Sequence, residues 1–566
     1  MSVITDAYAW QIGEVDRTAA VNLAAALELP PLMAQLLLQR GIPNPEAAHA
    51  FLNPSLRQVS DPFQLTDMAV AVERIAQARK QGERVLVFGD YDADGITGTA
   101  LLVNALRRYG LAHVEYALPQ RLEEGYGIQP SHVMSAKERG IGLIITVDNG
   151  IAAIDAAEAA NSAGVDLIIT DHHKLTQETP HAYAVVNPQR ESADHPAREI
   201  SGAAVAFKLA WALTGKALDL DLAAIGVVAD IVPLRGENRA LVALGLKEIT
   251  DNPRLGIAKL ASVAGLRKGR RTAEQIAFQI APRINAGGRL GDGMAGLELL
   301  LTESPQEAQR LAKELDAANN DRRSIEQAIF DEIQEELREC FHPNQRTIVM
   351  ARRDWHPGVI GIVASRVQRK YFRPVVLVAL GDDGAGRGSA RSIADFDIAN
   401  ALKRCEEHLV KYGGHHQAAG MTIEEHRLDA FRESFERTAA ERLGNEHLIP
   451  ALKIDAVASF SQIDGALLEH LARLEPHGAG NPAPVFSTFG VETAPNSPRE
   501  LRNGHMKAAF RQDGRLIPAI GFGMAHHLPL LSSGAPTDIA YAPRFDEWNG
   551  ERTIQLMLKD IRPAGS

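Results

Sequence analysis

Three short apolar runs of this chain each lead into a motif rich in aspartate or histidine. The motifs are DYDADG at residues 90–95, DNG at 148–150 and DHH at 171–173. Carboxylate oxygens with one or two imidazoles suit Mn²⁺ or Mg²⁺ better than a structural zinc. A pair of such ions about 3.5–4 Å apart can activate water and receive the leaving oxygen of a phosphoester. The residue types therefore predict a two-metal hydrolase.

An isolated aspartate pair after a strand is weak evidence for a metal site, because aspartate caps helices readily. Three such motifs within one stretch are harder to explain by packing, since burying that many acids without a cation would be prohibitive. Alternating residues of an extended segment point to the same side, which predicts one shared direction for the acids of DYDADG. The candidate ligands are Asp90, Asp92, Asp94, Asp148, His172 and His173.

The three apolar runs predict buried parallel strands. They cover residues 85–88, 143–147 and 166–170, and they are short, β-branched and bounded by glycine or aspartate. Helical segments at 99–109 and 152–163 connect them, which is the βαβ pattern of a parallel sheet. Open α/β sheets bind ligands beyond the carboxyl ends of their strands. We therefore expect all three motifs to converge on one crevice.

The rest of the chain predicts further domains. A polar helix at 305–338 has sparse apolar positions and predicts a spacer between two lobes. A second α/β pattern follows, with strands at 347–351 and 375–380 and helices at 359–369 and 398–409.

After about residue 450 the sequence becomes β-rich, with a strong hairpin signal at Asn549-Gly550. Five strands at this spacing predict a small barrel of the OB type. The predicted strands are 485–491, 505–511, 516–522, 539–545 and 553–558. The fold class is therefore α/β, with a parallel-sheet domain and a smaller α/β domain joined by a long helix, plus a C-terminal β-barrel.

Bulk properties restrict the class of protein. The 566 residues exceed what one core usually serves, and 60 Lys and Arg against 71 Asp and Glu argue against a general polyanion binder. We find no signal peptide and no run of roughly 20 apolar residues. Cys340 and Cys405 lack metal-ligand spacing. We expect a cytoplasmic protein with reduced thiols and no membrane association.

Taken as a set, the motifs resemble a known family. DHH, DYDADG and VDNG resemble the DHH phosphoesterase superfamily. APRINAGGRLG (281–291), GRGSARS (386–392) and GGHHQAAG (413–420) resemble its RecJ branch, the 5′→3′ exonucleases specific for single-stranded DNA. The resemblance covers roughly residues 30 to 560. The domains that it implies are an N-terminal helical segment (1–75), a DHH catalytic domain (76–300), a connecting helix (301–342), a DHHA1 nucleic-acid-binding domain (343–445) and an OB-fold-like domain (446–566).

The resemblance also implies a set of metal ligands. Asp148 is the expected bridge between two ions, while Asp90 and His173 are implied as further ligands or as groups that touch the scissile phosphate. Related small pyrophosphatases have a histidine where this chain has Phe88, so Asp90 is a candidate substitute ligand for the first metal. The implied ligands are Asp92, Asp94, Asp148, His172 and Asp230.

The second lobe resembles the DHHA1 domain, which carries nucleic-acid contacts. Planar guanidinium groups suit a terminal 5′-phosphate, and the resemblance implies such a pocket. It also implies that Gly413, Gly414 and His415 let the backbone approach the strand near the metals. The OB-like region is implied to grip single strands through a basic groove and stacking aromatics. The residues implied for the phosphate pocket are Arg121, Arg289, Ser389 and Arg391.

The function that the resemblance implies is exonucleolytic hydrolysis of single-stranded DNA from the 5′ end with two Mn²⁺ or Mg²⁺ ions. It would release 5′-mononucleotides in DNA repair and recombination. Single-stranded DNA is the expected partner, with single-strand-binding protein and helicase as further candidates, and we expect a monomer.

Two alternatives stay open. A nanoRNase or phosphoadenosine phosphatase of the same superfamily is disfavoured by the 566-residue length and by the C-terminal barrel. A non-catalytic DNA-binding scaffold of the same fold would have lost metal ligands, whereas here every acid and both histidines are present.

Overall fold

The computed structural model describes residues 8–14, 16–120, 125, 127–175, 178–290, 293–548 and 551–565. Its strands are β1 (Ala9–Ile12), β2 (Arg84–Phe88), β3 (His113–Ala117), β4 (Ile141–Thr146), β5 (Asp166–Thr170), β6 (Ala184–Val186), β7 (Ile348–Arg352), β8 (Val375–Leu380), β9 (Ala385–Arg391), β10 (Leu409–Gly414), β11 (Ala418–Glu424), β12 (Ala451–Ile454), β13 (Ala456–Val457), β14 (Phe486–Thr493), β15 (Arg499–Leu501), β16 (His505–Gln512), β17 (Arg515–Gly521), β18 (Thr537–Trp548) and β19 (Glu551–Pro563). Its helices are α1 (Arg17–Leu27), α2 (Pro31–Gln39), α3 (Pro45–Leu52), α4 (Met68–Gln81), α5 (Ala93–Tyr109), α6 (Pro130–Glu138), α7 (Ile154–Ala163), α8 (Gly202–Thr214), α9 (Leu220–Ala229), α10 (Gly236–Asp251), α11 (Leu255–Val263), α12 (Ala273–Gln275), α13 (Ala281–Leu290), α14 (Met294–Leu301), α15 (Pro305–Cys340), α16 (Ile360–Tyr371), α17 (Ile398–Arg404), α18 (Leu428–Ala440), α19 (Gly465–Ala472) and α20 (Leu528–Ser532), with a π-helix (Ile276–Ile280) between α12 and α13.

The contacts of the chain divide it into two compact units. One unit comprises His49–Arg322 and Leu474–Pro482, and the other comprises Met1–Ala48, Arg323–Arg473 and Ala483–Ser566. The helix predicted as a spacer is observed as α15, a continuous helix of 36 residues.

A five-stranded parallel sheet carries the three motifs. Its strand order is β3-β2-β4-β5-β6, and all neighbouring strands run parallel. Alternate side chains of β2 enter two cores: Val85 and Val87 pack with residues of α5 and α8, and Leu86 and Phe88 pack with residues of α6 and α7. Burial on both faces explains why these strands are continuous apolar runs. The prediction of buried parallel strands is confirmed.

Helix α5 begins inside the first motif, earlier than the predicted residue 99. The side chain of Asp92 caps it by accepting hydrogen bonds from the N–H groups of Asp94 and Gly95. At the other end, Gly110 takes the left-handed conformation, with φ 100°, which favours glycine. The helix is buried over most of its length and packs against α8 and α9, so its first turn is fixed relative to the sheet.

The second unit contains a mixed sheet with the order β10-β11-β9-β8-β7, in which only β7 and β8 run parallel. The predicted strands and the helix at 359–369 correspond to β7, β8 and α16. The helix predicted at 398–409 is wrong at its end, because α17 stops at Arg404 and Leu409 begins β10. Leu409 pairs there with Ile423 of β11, so long-range strand pairing replaces the local helical pattern.

The five strands predicted for the C-terminal region are all present and form a closed barrel. The order β14-β18-β19-β17-β16 is completed by a pairing of β16 with β14. Closure removes the free edges that a small open sheet would expose. The predicted hairpin turn Asn549-Gly550 lies outside the described residues, and β18 and β19 on either side of it pair antiparallel.

The N-terminal segment packs onto this barrel within the same unit. Strand β1 pairs in parallel with β12, with Ala9 opposite Ala451. The indole Nε1 of Trp10 donates a 2.6 Å hydrogen bond to Asp560 in β19, and the Arg562 guanidinium lies 4.0 Å from the centre of the Trp10 ring.

In the described part of the chain, no single helix is both long and apolar enough to cross a membrane. Helices α1 and α2 reach the required length and hydropathy only when taken together, and the chain bends by 114° between them. Cys340 is exposed and Cys405 is buried, and both are free thiols.

A buried ion pair supports the parallel-sheet unit. Lys208 Nζ lies 2.8 Å from Glu237 Oε2, with both side chains at most 1% exposed. The ammonium also donates to the backbone and side-chain oxygens of Ser60, at 2.9 Å each. Removing one partner of such a pair leaves an uncompensated charge and costs about 3–5 kcal/mol. We therefore expect Lys208→Met to lower the free energy of unfolding by that amount, measured by urea denaturation.

The matched control removes both charges at once. Because replacing a whole buried pair with apolar residues is often neutral, the double variant Lys208→Met/Glu237→Leu should recover most of the lost stability. Equal losses in the single and double variants would contradict this account.

Candidate metal centre

The three motifs meet at one edge of the parallel sheet, as expected from the strand order. Asp90 follows β2, Asp148 follows β4 and His172 follows β5, and these strands are neighbours. Three groups of side chains bring their ligand atoms within 4.8 Å of one another: Asp90–Asp92–Asp148, Asp94–His172–Asp230 and Asp148–His172–His173. Because Asp148 and His172 are shared, the groups form one continuous cluster, which contains every residue predicted as a metal ligand.

The DYDADG motif divides its carboxylates between two of these groups because a helix begins within it. Asp92 Oδ1 accepts from the N–H groups of Asp94 and Gly95, at 2.9 and 3.1 Å, and so caps α5. Asp94 lies in the first helical turn and belongs to the group of His172. The predicted extended segment is therefore wrong at Asp94, which lies in a helix, although all three acids still neighbour Asp148.

Asp94 is held by the N-terminus of another helix. The N–H groups of Gly202 and Ala203, at the start of α8, donate to its two carboxylate oxygens at 2.7 and 3.0 Å. A helix N-terminus carries a partial positive charge and unsatisfied N–H groups, which favour a carboxylate. The side chain is thereby fixed before any ion binds.

His172 directs its Nε2 atom at the carboxylates. Its Nε2 lies 3.1 Å from Asp148 Oδ1, 3.6 Å from Asp230 Oδ2 and 3.9 Å from Asp94 Oδ2. This buried atom has no hydrogen-bond partner among the described residues. Burial and the neighbouring charge of His173 lower the pKa of His172 to about 4. A neutral imidazole does not offset the mutual repulsion of three carboxylates, whereas a cation between them would.

His173 is placed differently, by Asp171. Asp171 Oδ1 lies 2.7 Å from His173 Nδ1 and also accepts from the N–H groups of both histidines. Burial alone would lower the pKa of His173, but the hydrogen bond and the negative charge of Asp171 raise it to about 9. Its ring, 41% exposed, borders a cavity of about 540 Å³. His173 is therefore a cationic donor at the opening of the cluster.

The carboxylates oppose one another's ionisation. Burial and the charge of Asp92 raise the pKa of Asp94 to about 7. Burial and the charges of Asp94 and Asp92 raise the pKa of Asp230 to about 8. The pKa of Asp148 is raised well above its usual range because it is buried among four other carboxylates. A divalent cation would remove this repulsion, so the donor set fits hard cations that prefer oxygen ligands.

Glycines allow the backbone to approach the carboxylates closely. A Cβ at Gly202 would lie 2.5 Å from Asp148 Oδ1, and a Cβ at Gly226 would lie 2.4 Å from Asp94 Oδ1. Asp148 itself has φ 64°, a left-handed conformation that is uncommon outside glycine. Strain of this kind concentrates at functional sites.

Sequence reasoning missed several residues that position the cluster. Asn285 Oδ1 accepts from the N–H of Ala93 at 2.6 Å, and a Cβ at Gly288 would lie 2.6 Å from the carbonyl oxygen of Tyr91. Both belong to the APRINAGGRLG motif, in which the sequence indicated a role for Arg289 but none for these two residues. Gly202 gave no local signal at all. Phe88, where related pyrophosphatases have histidine, is buried with its ring 4.8 Å from that of His132.

Ser389 and Arg391, both predicted for the phosphate pocket, lie together in β9 and face the first turn of α16. Arg391 Nη1 donates to Ser389 Oγ at 3.2 Å, and Arg391 Nε donates to Ser365 Oγ at 3.0 Å. A Cβ at Gly361, in the first turn of α16, would lie 2.9 Å from Ser389 Oγ and 3.1 Å from Arg391 Nη2. The small residue leaves these polar groups accessible beside a helix N-terminus.

The other predicted nucleic-acid residues are more dispersed. Gly414 ends β10 with φ 151°, where a Cβ would lie 2.4 Å from the Cα of Ala419, so strand pairing itself requires glycine. His415 is exposed in the following turn. Arg289 lies in the last turn of α13, in the parallel-sheet unit. Arg121 lies outside the described residues.

Comparisons with known proteins identify the family and the domains of this chain. The model of the DHH family, N-terminal domain, matches residues 84–229, the DHHA1 domain model matches 344–441 and the RecJ OB domain model matches 454–560. The chain is 36% identical over 554 residues to the single-stranded-DNA-specific exonuclease RecJ of Bacillus subtilis, covering 97% of this chain and 70% of the relative. The chain belongs to the RecJ family.

Two further RecJ proteins extend the match. RecJ of Escherichia coli is 34% identical over 578 residues, covering 97% of this chain and 98% of the relative. The crystal structure of RecJ in complex with Mn²⁺ from Thermus thermophilus has a TM-score of 0.85 and 33% identity, covering 99% of this chain and 80% of that one. The RecJ fold, with DHH, DHHA1 and OB domains, is therefore that of this chain.

Gly202 offers a test of the cluster that substitutes none of the candidate ligands. A methyl group at this position would displace the carboxylate of Asp148, because the two would be 2.5 Å apart. We expect Gly202→Ala to weaken Mn²⁺ binding at least tenfold, or about 1.4 kcal/mol, measured by isothermal titration calorimetry.

Gly465→Ala is the matched control. Gly465 is also the first residue of a helix whose capping side chain accepts from the third helical N–H, and a Cβ there meets nothing within 4 Å. The control should bind Mn²⁺ as the wild type does. Unchanged Mn²⁺ affinity in Gly202→Ala would contradict the assigned close approach.

Proposed function

We propose that this chain is a metal-dependent exonuclease that degrades single-stranded DNA in the 5′→3′ direction and releases 5′-mononucleotides, in DNA repair and recombination. The observation that carries the proposal is the cluster of ligand atoms, in which Nε2 of His172 faces three carboxylates within 3.9 Å. Membership of the RecJ family supports the substrate class, because its relatives are named single-stranded-DNA-specific exonucleases.

The proposed ligands form two sets around a shared carboxylate. Asp90, Asp92 and Asp148 would hold one ion, and Asp94, His172 and Asp230 would hold the other, with Asp148 as the bridge; the grouping of their ligand atoms supports this. When bound, two Mn²⁺ or Mg²⁺ ions supply Lewis acidity toward the phosphodiester and lower the pKa of water. A RecJ relative crystallised with Mn²⁺ supports the choice of metal.

The protein's own groups then orient the substrate. His173, held by Asp171 and positively charged, is proposed to donate to an oxygen of the scissile phosphate from the opening of the cluster. The exposed part of its ring and the adjoining cavity support this role. Asp171 acts through His173 and is a positioning residue.

The terminal 5′-phosphate is proposed to bind Ser389 and Arg391, together with Arg121 and Arg289. The arginine fork beside the first turn of α16 supports this, because guanidinium groups and helix N-termini both bind phosphate. Gly414 and His415 are proposed to contact the strand, and the exposure of their hairpin turn supports that assignment.

We also propose the domain organisation expected from the sequence, with boundaries near residues 75, 300, 342 and 445; the three family-model ranges support it. A cytoplasmic monomer is proposed, with single-strand-binding protein and helicase as partners in repair. The free thiols support the compartment. The complete ligand cluster argues against a non-catalytic scaffold, and the match to a RecJ OB domain argues against a small-molecule phosphatase.

Asp148→Asn tests the enzyme assignment. With the bridging carboxylate neutralised, we expect hydrolysis to fall at least a thousandfold, about 4 kcal/mol, while binding of single-stranded DNA persists. The assay incubates single strands, labelled at either end and made of DNA or RNA, with Mn²⁺, Mg²⁺ or chelator. The exposed Glu158→Gln on α7 is the control and should retain activity. Turnover retained by Asp148→Asn would refute the assignment.

Arg391→Gln tests the phosphate pocket. Loss of the guanidinium should reduce the preference for a 5′-phosphorylated over a 5′-hydroxyl end by about tenfold, about 1.4 kcal/mol, because hydrogen bonds to charged groups contribute about 1.5–3 kcal/mol. The preference is measured as the ratio of kcat/KM on the two ends. Arg369→Gln, at an exposed arginine of the neighbouring helix α16, should leave the ratio unchanged. An unaltered ratio in Arg391→Gln would remove this residue from the pocket.

A further inference from the structure

Ile231 combines two unfavourable features directly after the candidate ligand Asp230. Its side chain is 74% exposed, the largest fraction of any large apolar side chain in the part of the chain that the structure describes. Its φ is 60°, in the left-handed region where a β-branched residue is a genuine outlier. Exposure of isoleucine and backbone strain both oppose folding, so a reason outside folding is indicated.

The surrounding backbone holds this conformation from both sides. The N–H of Asp230 donates to the carbonyl oxygen of Gly226 at 2.9 Å, which ends α9. Three residues beyond the strained one, the N–H of Leu234 donates to the carbonyl oxygen of Ala479 at 2.7 Å. Strained residues persist only where their neighbours fix them, and these bonds supply that fixation. The isoleucine is therefore presented to solvent at a defined place.

That place is the rim of the carboxylate cluster. Asp230 Oδ2 lies 3.6 Å from His172 Nε2, and successive Cα atoms are about 3.8 Å apart. Ile231 is thus attached directly to a residue of the cluster, where a polar residue would be the ordinary choice. An apolar side chain there can contact the flat face of a base, which gives affinity without sequence preference.

We infer that Ile231 contacts the nucleobase next to the scissile phosphodiester and so positions the strand over the metal centre. The inference rests on the proposed exonuclease function and adds a residue to it. The carboxylates and imidazoles act on the phosphate, while Ile231 holds the neighbouring base irrespective of its identity.

Ile231→Gly separates this role from a structural one, because the two roles predict opposite effects. Glycine accepts φ 60° without strain, so the variant should have a higher Tm than the wild type. Loss of the apolar contact should raise KM for a single-stranded oligonucleotide about tenfold, which is about 1.4 kcal/mol. Ile231→Leu, which keeps an apolar side chain, should restore KM to within about threefold of the wild-type value.

Glu28→Gly is the matched control. Glu28 is an exposed residue with φ 53° that ends α1, far along the chain from the cluster. Its replacement should raise Tm in the same way and leave KM unchanged, which separates relief of strain from loss of substrate contact.

Two results would overturn the inference. One is an unchanged KM in Ile231→Gly, and the other is a fall in Mn²⁺ affinity by the same factor as the rise in KM, which would mean that Ile231 acts through Asp230. Binding of a fluorescent phosphorothioate oligonucleotide, followed by anisotropy, needs no turnover. It therefore tests Ile231 even if the wild type fails to hydrolyse DNA, a failure that would refute only the proposed function.

Discussion

Repulsion among buried carboxylates around an unprotonated imidazole is the constraint on which the rest of the structure depends. Carboxylate oxygens of three buried or half-buried aspartates lie within 3.9 Å of His172 Nε2. The raised pKa values of Asp94, Asp148 and Asp230 express the cost of placing these charges together. A protein keeps such an arrangement only when bound cations reverse the sign of the interaction. The cluster is therefore stable as a binding site and unfavourable as an empty one.

The fold opposes this repulsion with rigid supports. Parallel strands bring three loops to one edge, and the N-terminus of α8 donates two hydrogen bonds to Asp94. Glycine at 202 and 226 removes the side chains that would otherwise separate these elements. A carboxylate held by two backbone N–H groups cannot swing away from its neighbours, so Asp94 stays in place whether or not a cation is present.

Much of this could be predicted from the sequence, because the motifs directly follow strands whose apolar pattern is strong. The parallel strands, the long helix and the five barrel strands are confirmed. Local pattern failed where distant contacts decide the structure: the helix predicted at 398–409 yields to pairing of Leu409 with Ile423. The local sequence pattern also gave no indication of Gly202 and Asn285. Their contacts are with Asp148 and Ala93, about 50 and 190 residues away in the chain. The division of DYDADG between two groups follows from where α5 begins, a boundary that periodicity locates poorly.

The pairing of β1 with β12 has a consequence for how the chain is made. Ala9 finds its partner Ala451 about 440 residues later, so a ribosome adding roughly 5–20 residues per second needs about 20 to 90 seconds to deliver it. The first strand must remain unpaired during that interval, while the parallel sheet behind it can already assemble. Strand β1 is thus among the last elements of the chain to reach its native neighbour.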